Sequence, residues 1–305
     1  MSADYQSFEI NVGDYVEALV DWITQNLGGL LDFIAIVIRF FVDALEGMFV
    51  ETEPLIIAVI LVAFGLWRVG VGFAIFCLIA VMLIFEMGLW PETMATLALV
   101  LSSSLVALLI GIPIGIAMSR SEWVDRIARP VLDFMQTMPA FVYLIPAVIF
   151  FGLGTVPGAI ATVIFAMPPV VRLTNLGIRQ VSSEHVEAGL AFGCTQAQLL
   201  YRVQLPLAMP SIMQGINQTI MLALSMVVIA SMIGAGGLGD TVLTGIQRLD
   251  VGLGFEGGLA VVLLAILLDR ITQTFGRRER GPRNVVQRMI AAVRERGVGA
   301  SSGGG

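Results

Sequence analysis

Long uncharged apolar stretches constrain this chain more than any other feature. Four stretches contain no aspartate, glutamate, lysine or arginine, and they cover residues 69–85, 93–119, 134–171 and 203–239. A helix that crosses the hydrocarbon core of a bilayer needs about 20 mostly apolar residues, so most of these stretches are long enough for membrane spans. The mean hydropathy of +0.90 is far above that of soluble domains. We therefore predict an all-α integral membrane protein.

Charges and turn residues divide the chain into about seven predicted spans. Gly152, Gly154, Pro157 and Gly158 favour a turn that splits the third stretch into two spans. The predicted spans cover residues 54–67, 69–88, 93–118, 134–152, 156–171, 211–233 and 254–275. The first two form an additional hairpin within 54–90, ahead of a core at 91–275.

The distribution of arginine predicts the orientation in the membrane. All seventeen basic residues are arginine. They cluster between the second and third stretches, around the polar segment 176–210, and in the tail 276–305. The positive-inside rule makes these parts cytoplasmic. Residues 1–53 carry ten acidic residues against Arg39, which favours an N-terminus on the outer side.

The acidic N-terminal segment is predicted to be an amphipathic scaffold in the outer membrane interface. An apolar stripe through Leu19, Ile23 and Leu27 alternates with acidic positions, which indicates a first helix. A second helix is expected at 30–50, with its charged residues on one face. The alternative is that residues 30–50 cross the membrane.

The polar segment 176–210 predicts two short helices around a glycine corner. Ser182 and the glutamates after it favour a helix start. Gly193 can end that helix, and Thr195 with Gln198 has the spacing of a capping box that opens a second helix. An ordinary amphipathic loop between two spans is the alternative interpretation.

Several kinds of site are excluded or disfavoured by the residues present. A phosphate-binding loop of the type that ends in Lys-Ser/Thr is impossible because the chain contains no lysine. Cys77, Cys194 and the single histidine, His185, give neither a disulfide framework nor a metal cluster. The glycines at 234–239 match the dinucleotide pattern G-x-G-x-x-G, but they follow a predicted membrane helix rather than a strand, so we interpret them as structural. We predict no catalytic site, no metal, no cofactor bound by this chain and no nucleic-acid partner.

Five segments within about residues 90–275 together resemble the glycine betaine/proline betaine permease family of ATP-driven (ABC) importers. They are residues 133–146, 166–175, 187–206, 232–239 and 268–273. The segment 176–210 resembles the cytoplasmic coupling loop of such permeases. Its matching positions are Glu187, Ala188, Gly189, Gly193, Leu205 and Pro206. Gly189 departs from the family pattern, since a second alanine is usual there.

The resemblance implies a fold and a set of partners. The expected fold is a type I importer transmembrane domain, similar to the methionine-type permeases. The expected assembly is a homodimer in the membrane lipid, with two cytoplasmic ATPase subunits that bind ATP and Mg²⁺, and an external binding protein that delivers a quaternary-ammonium osmolyte. Candidate residues of the translocation pathway or gate are Met138, Pro139, Phe141, Tyr143, Pro168, Pro169, Gly234, Gly236 and Gly237.

Other function classes fit the residues less well. A channel or an ATP-independent secondary carrier usually places ionisable residues at mid-membrane, and the third and fourth stretches have none. A membrane enzyme would need a carboxylate pair, a nucleophile with a base, or a metal set at matched depth, and no such set is evident. The sequence leaves the osmolyte open among glycine betaine, proline betaine, choline and a sulfonium analogue.

Overall fold

The computed structural model describes residues 12–276, and this part of the chain is helical throughout, with short turns. The predicted all-α class is confirmed. The helices are α1 (Val12–Val50), α2 (Pro54–Arg68), α3 (Val71–Glu86), α4 (Trp90–Arg120), α5 (Glu122–Thr137), α6 (Leu144–Phe151), α7 (Thr155–Ala166), α8 (Pro168–Arg179), α9 (Ser183–Ala191), α10 (Gln196–Leu199), α11 (Leu205–Ser231), α12 (Leu238–Arg248) and α13 (Val251–Gly276). A 3₁₀ turn covers Ala140–Tyr143, and a π-helical turn covers Leu200–Gln204.

Within residues 12–276, four helical segments are long and apolar enough to cross a membrane. They are Trp90–Arg120, Thr155–Arg179, Gln196–Ser231 and Val251–Phe275. The number rises to six if each of two bent helix pairs forms one span. The sequence predicted about seven. The difference arises because α3 has only 16 residues and α2 only 15, so neither is long enough to count alone.

The helices define two ends of the bundle. At the polar end, the coupling loop (176–210) lies beside the C-terminal ends of α4 and α8, where Arg179 donates a 2.9 Å hydrogen bond to the carbonyl of Met118. At the glycine end, the N–H of Leu238 donates to Thr96 Oγ1 at 2.8 Å, so the start of α12 is held against the first turns of α4. α4 and α11 therefore run in opposite directions between the same two ends.

The N-terminal region forms one helix rather than the two that were predicted. Gly28 and Gly29 lie inside α1 without interrupting it. The second half of α1 packs on α4 and α7, with Ile38 and Val42 buried and the hydroxyl of Ser102 donating to the carbonyl of Phe41 at 3.0 Å. This contact lies beside the middle of α4, and the chain then turns by 97° into α2.

The predicted span at 134–152 is not one continuous helix. α5 ends at Thr137, and the chain turns by 110° before α6. The physical reason is Pro139, which disfavours helical dihedrals at the residue before it, and Met138 accordingly has an extended ψ of 134°. The predicted turn between α6 and α7 is confirmed, because Gly152 and Gly154 both have positive φ angles there.

α8 packs unusually closely against both α4 and α11 because glycines line the contacts. A Cβ atom added to Gly111 or Gly115 of α4 would lie 2.6 Å from side-chain atoms of Val170 or Thr174. One added to Gly215 of α11 would lie 3.0 Å from the Cα of Val170. Small residues allow such close backbone approach between helices in membranes. α8 is thus held between two neighbours and carries Arg179 to the polar end.

Candidate functional site

The coupling loop (176–210) is built around a helix end that requires glycine. Gly193 has a φ of 78°, and its N–H donates to the carbonyl of Leu190 at 2.9 Å. The N–H of Cys194 donates to the carbonyl of Gly189 at 3.0 Å. These two bonds form a Schellman motif, which uses a left-handed residue to satisfy the last carbonyls of a helix. The prediction that Gly193 ends the first helix is confirmed.

The start of the second short helix is also as predicted. The N–H of Gln198 donates to Thr195 Oγ1 at 3.3 Å, and the N–H of Thr195 donates to Gln198 Oε1 at 2.9 Å, so the capping box is complete. The first helix begins where predicted, at Ser183, but the hydroxyl of Ser182 does not cap it. That hydroxyl lies 2.5 Å from Nδ1 of His185 instead.

The residues matched to the coupling motif divide into surface and packing positions. Glu187 and Ala188 are exposed, whereas Gly189 is buried. A Cβ atom added to Gly189 would lie 2.8 Å from Leu199 Cδ1, so this glycine lets the two short helices pack against each other. Pro206 is exposed in the first turn of α11, directly after the π-helical turn Leu200–Gln204 and Leu205. Leu205 beside it is half-buried.

An exposed apolar surface on the coupling loop was not predicted. Phe192 is 90% exposed, Tyr201 is 67% exposed and Leu190 is 45% exposed. Large apolar side chains grouped at a polar end of a membrane protein indicate a protein-binding surface. The aromatic residue directly before the helix-ending Gly193 is the sequence feature that could have revealed it.

A charged network anchors the polar end beneath the coupling loop. Asp125 of α5 is buried, and its carboxylate lies 2.7 Å from Nη2 of Arg129 and 3.3 Å from Nη2 of Arg179. Asn175 donates to the same carboxylate at 3.0 Å, and Arg179 also pairs with Glu122 at 2.9 Å. Burial opposes ionisation of Asp125, but the hydrogen bond and charge of Arg129, with Arg179 and Asn175, outweigh it and hold its pKa below the ordinary value. α4, α5 and α8 are therefore joined at the polar end.

The candidate gate residues around the α5–α6 bend form one group. Tyr143 is buried against α7 and α11, and its hydroxyl donates to the carbonyl of Met135 across the bend. Met138 packs in the same cluster, whereas Pro139 and Phe141 are exposed. At this bend, Tyr143 and Met138 are packed against the bundle, whereas the aromatic side chain of Phe141 is exposed.

The remaining candidate gate residues lie in two other places. Pro168 and Pro169 are buried at the junction of α7 and α8. Gly234, Gly236 and Gly237 lie at the glycine end and have φ angles of 84°, 76° and 70°. The interpretation of these glycines as structural therefore agrees with the backbone they adopt. The nine candidates do not converge on one site.

One polar link inside the bundle was not predicted. Asn217 of α11 donates to Asp269 Oδ1 at 2.8 Å, and Gln273 donates to Asp269 Oδ2 at 2.7 Å. Two amides, one on α11 and one on α13, therefore hold the carboxylate of Asp269.

The arrangement described above matches a known protein family. Residues 107–281 match the family described as binding-protein-dependent transport system inner membrane component. The chain belongs to this family. The match covers the second half of α4, the coupling loop and the helices up to α13, whereas the first turns of α4 at the glycine end lie ahead of it.

Relatives of this permease are similar along most of their length. It is 53% identical over 273 residues to the glycine betaine/carnitine transport permease protein GbuB of Listeria monocytogenes, covering 88% of this chain and 96% of that protein. It is 50% identical to the glycine betaine transport system permease protein OpuAB of Bacillus subtilis, with coverages of 87% and 94%. The Escherichia coli glycine betaine/proline betaine permease protein ProW is 47% identical, with coverages of 90% and 78%.

A solved structure shares the fold of the permease. A chain of the inward-facing MetNI methionine ABC transporter superposes with a TM-score of 0.54 at 20% identity, covering 60% of this chain and 93% of that one. The predicted fold, a type I importer transmembrane domain, is confirmed. α1 to α3 lie largely ahead of the family match, which begins at residue 107.

Proposed function

We propose that this chain is the permease subunit of an ATP-driven importer for quaternary-ammonium osmolytes such as glycine betaine and proline betaine. The similarity to GbuB, OpuAB and ProW, which are glycine betaine transport permeases, supports the substrate class. The structural observation that carries the proposal is the coupling loop, a rigid glycine corner that presents exposed Leu190, Phe192 and Tyr201 at the polar end.

We propose partners for two tasks, ATP hydrolysis and substrate selection. Two cytoplasmic ATPase subunits dock on the coupling loops of a permease homodimer and bind ATP and Mg²⁺. An external binding protein delivers the osmolyte at the glycine end. Selection of a quaternary ammonium usually requires an aromatic cage, and the aromatics of this chain are scattered among apolar helices, so we assign selectivity to the binding protein.

Coupling between ATPase and pathway is proposed to run through α8. Its polar end carries Arg179, which is tied to α5, and its other end begins at Pro168 and Pro169. Because glycines on α4 and α11 bring both neighbours close, a displacement of the coupling loop would be transmitted along a packed helix. The α5–α6 bend near Tyr143 and the glycine end are the proposed places where the pathway opens.

The proposed orientation places the coupling loop and the C-terminal tail in the cytoplasm. Arg120, Arg126, Arg129, Arg172 and Arg179 lie on α4, α5 and α8 towards the polar end. The positive-inside rule supports this side as cytoplasmic. The glycine end then faces outward, where a binding protein can reach it. The tail at 277–305 lies outside the described residues.

Reconstituted uptake tests the proposal. The permease is placed in liposomes with its ATPase and binding protein, and accumulation of labelled glycine betaine is measured with and without internal ATP. We expect uptake that requires all three proteins and ATP. Competition by proline betaine, choline and a sulfonium analogue then ranks the substrates.

The competing function, an ATP-independent carrier or channel, makes the opposite prediction. Uptake by the permease alone, driven by an ion gradient, would contradict the ATP-driven proposal. The position of Asp269 favours this alternative, because Asp269 is an ionisable residue within the apolar helix α13.

A further inference from the structure

A polar cavity lies beside the coupling loop at the polar end. Its volume is about 470 Å³. The ends of α4 and α8 form one wall, and Val186 and Gln196 bring both short helices of the coupling loop into the other. Leu190 lies one turn along α9 from Val186, so a protein that docks on Leu190 and Phe192 binds next to a helix that also lines the cavity.

The two arginines of this cavity differ in what they contact. The guanidinium of Arg179 is already occupied by partners within the chain, because it donates hydrogen bonds to Asn175, Glu122 and the carbonyl of Met118. Arg120 is exposed, and no acidic side chain of residues 12–276 pairs with it. The cavity thus presents one guanidinium that lacks a counter-charge within the described chain.

Gln204 adds a requirement for a hydrogen-bond donor. Its Oε1 atom is buried, and within residues 12–276 nothing donates a hydrogen bond to it. A buried acceptor without a donor is destabilising, and Gln204 lines the cavity, so rotation of its side chain toward an occupant that donates to Oε1 is favoured. A complete occupant offers an anionic acceptor to Arg120 and a donor to Gln204.

We propose that this cavity receives an acidic side chain of the ATPase subunit, as a second contact beside the exposed surface of the coupling loop. The carboxylate pairs with Arg120, and an N–H of the same ATPase segment donates to Gln204 Oε1. This inference rests on the proposed function, because it requires an ATPase on the coupling loop. A carboxylate in a partly enclosed cavity binds a guanidinium more strongly than one on an open surface.

Affinity measurements with matched variants test the inference. Binding of the cognate ATPase to full-length permease in nanodiscs is measured for the unmodified protein and for Arg120→Glu, Arg120→Gln and Gln204→Leu. We expect Arg120→Glu to weaken binding about tenfold or more, Arg120→Gln less, and Gln204→Leu about threefold or more. Arg126→Glu is the control, because Arg126 is exposed on α5 and does not line the cavity; we expect a change within about twofold.

The outcomes separate this inference from the proposed function. Failure of the unmodified permease to bind the ATPase would contradict the proposed function itself. Normal binding by Arg120→Glu, or equal losses in Arg120→Glu and Arg126→Glu, would overturn only the cavity contact. A free phosphate offers similar chemistry, so inorganic phosphate is titrated against the permease alone. Millimolar phosphate binding that Arg120→Gln abolishes would overturn assignment of the cavity to the ATPase.

Discussion

At the scale of single residues, Gly193 is where sequence, backbone and proposed function meet. We predict that Gly193→Val disturbs the helix end, because a β-branched residue at a φ of 78° is strained by about 1–2 kcal/mol or more. No neighbouring atom lies within 4 Å of an added Cβ, so the strain is in the backbone alone. The expected result is a normal amount of permease in the membrane with loss of ATPase co-purification and of ATP-driven uptake.

The control for this substitution is Gly193→Asn, since asparagine tolerates the left-handed conformation. We expect it to retain most of the ATPase binding. If Gly193→Val co-purifies with its ATPase and transports at the unmodified rate, the coupling loop is merely a connector.

Two adjacent glycines at the glycine end allow a second residue-level comparison. Gly236 and Gly237 both have positive φ angles, but an added Cβ meets open space at Gly236 and lies 2.5 Å from Thr96 Oγ1 at Gly237. We predict that Gly237→Ala lowers the thermal stability more than Gly236→Ala, by about 1–3 kcal/mol, because it breaks the hydrogen bond from Leu238 to Thr96. Thermal unfolding in detergent measures the difference, and equal melting temperatures would show that this contact is dispensable.

The residues that were predictable from sequence are those whose conformation depends on near neighbours. Gly193 and the capping box of Thr195 and Gln198 involve partners within a few positions, so their pattern is visible in the chain. The pairing of Arg179 with Glu122 joins residues 57 positions apart, and the sequence offers no rule for it. The exposure of Phe192 was missed for the same reason, because burial depends on distant helices.

At the scale of helices, α1 raises the question of topology. Charge asymmetry predicts that Ser2→Cys is labelled by a membrane-impermeant thiol reagent from outside intact cells and that Ala300→Cys is not. The background requires Cys77→Ala and Cys194→Ala. Labelling is measured before and after permeabilisation of the cells.

The contrary result has a specific structural meaning. Protection at both positions until permeabilisation would place both termini inside, and residues 30–50 would then cross the membrane. The packing of Phe41 beside Ser102, in the middle of α4, is the contact that such a crossing would explain.

The link between α11 and α13 supports a further prediction at this scale. Asn217→Leu removes one of the two amides that hold Asp269, and we expect a loss of about 1–3 kcal/mol in stability. Gln218→Leu is the matched control, because Gln218 is the adjacent exposed residue. Similar melting temperatures for the two variants would contradict a structural role for the link.

The sequence-based prediction of helices differed from the structure at three places, for different reasons. Residues 134–152 were predicted as one span because the apolar stretch is long, although they contain Pro139. The structure shows that proline decided the outcome and turned α5 away from α6. Conversely, two helices were predicted within this region, but α1 is continuous through Gly28 and Gly29, and its second half packs on α4. α12 was not predicted because its polar and glycine residues do not resemble a span.

At the scale of the whole molecule, glycines fall into two classes with opposite expected responses. Gly115→Ala places a Cβ 2.7 Å from the carbonyl of Val171, so we predict lower stability and slower transport as α4 and α8 separate. Gly258 lies inside α13 with open space around it, so Gly258→Ala is expected to stabilise the protein by about 0.5–1 kcal/mol. Melting temperatures and uptake rates of both variants check the prediction, and destabilisation by both would show that packing around α8 is not special.

The unequal lengths of the helices have a consequence for the lipid around the protein. At 1.5 Å per residue, the 31 residues of α4 extend about 46 Å and the 16 residues of α3 about 24 Å. A hydrocarbon core is about 30 Å thick, so α4 projects or tilts while α3 falls short. If α3 crosses the bilayer as predicted, local thinning of the bilayer around α2 and α3 would accommodate the shortfall. A change in the acyl-chain length of the lipid is therefore expected to affect α2 and α3 more than the longer helices of the permease.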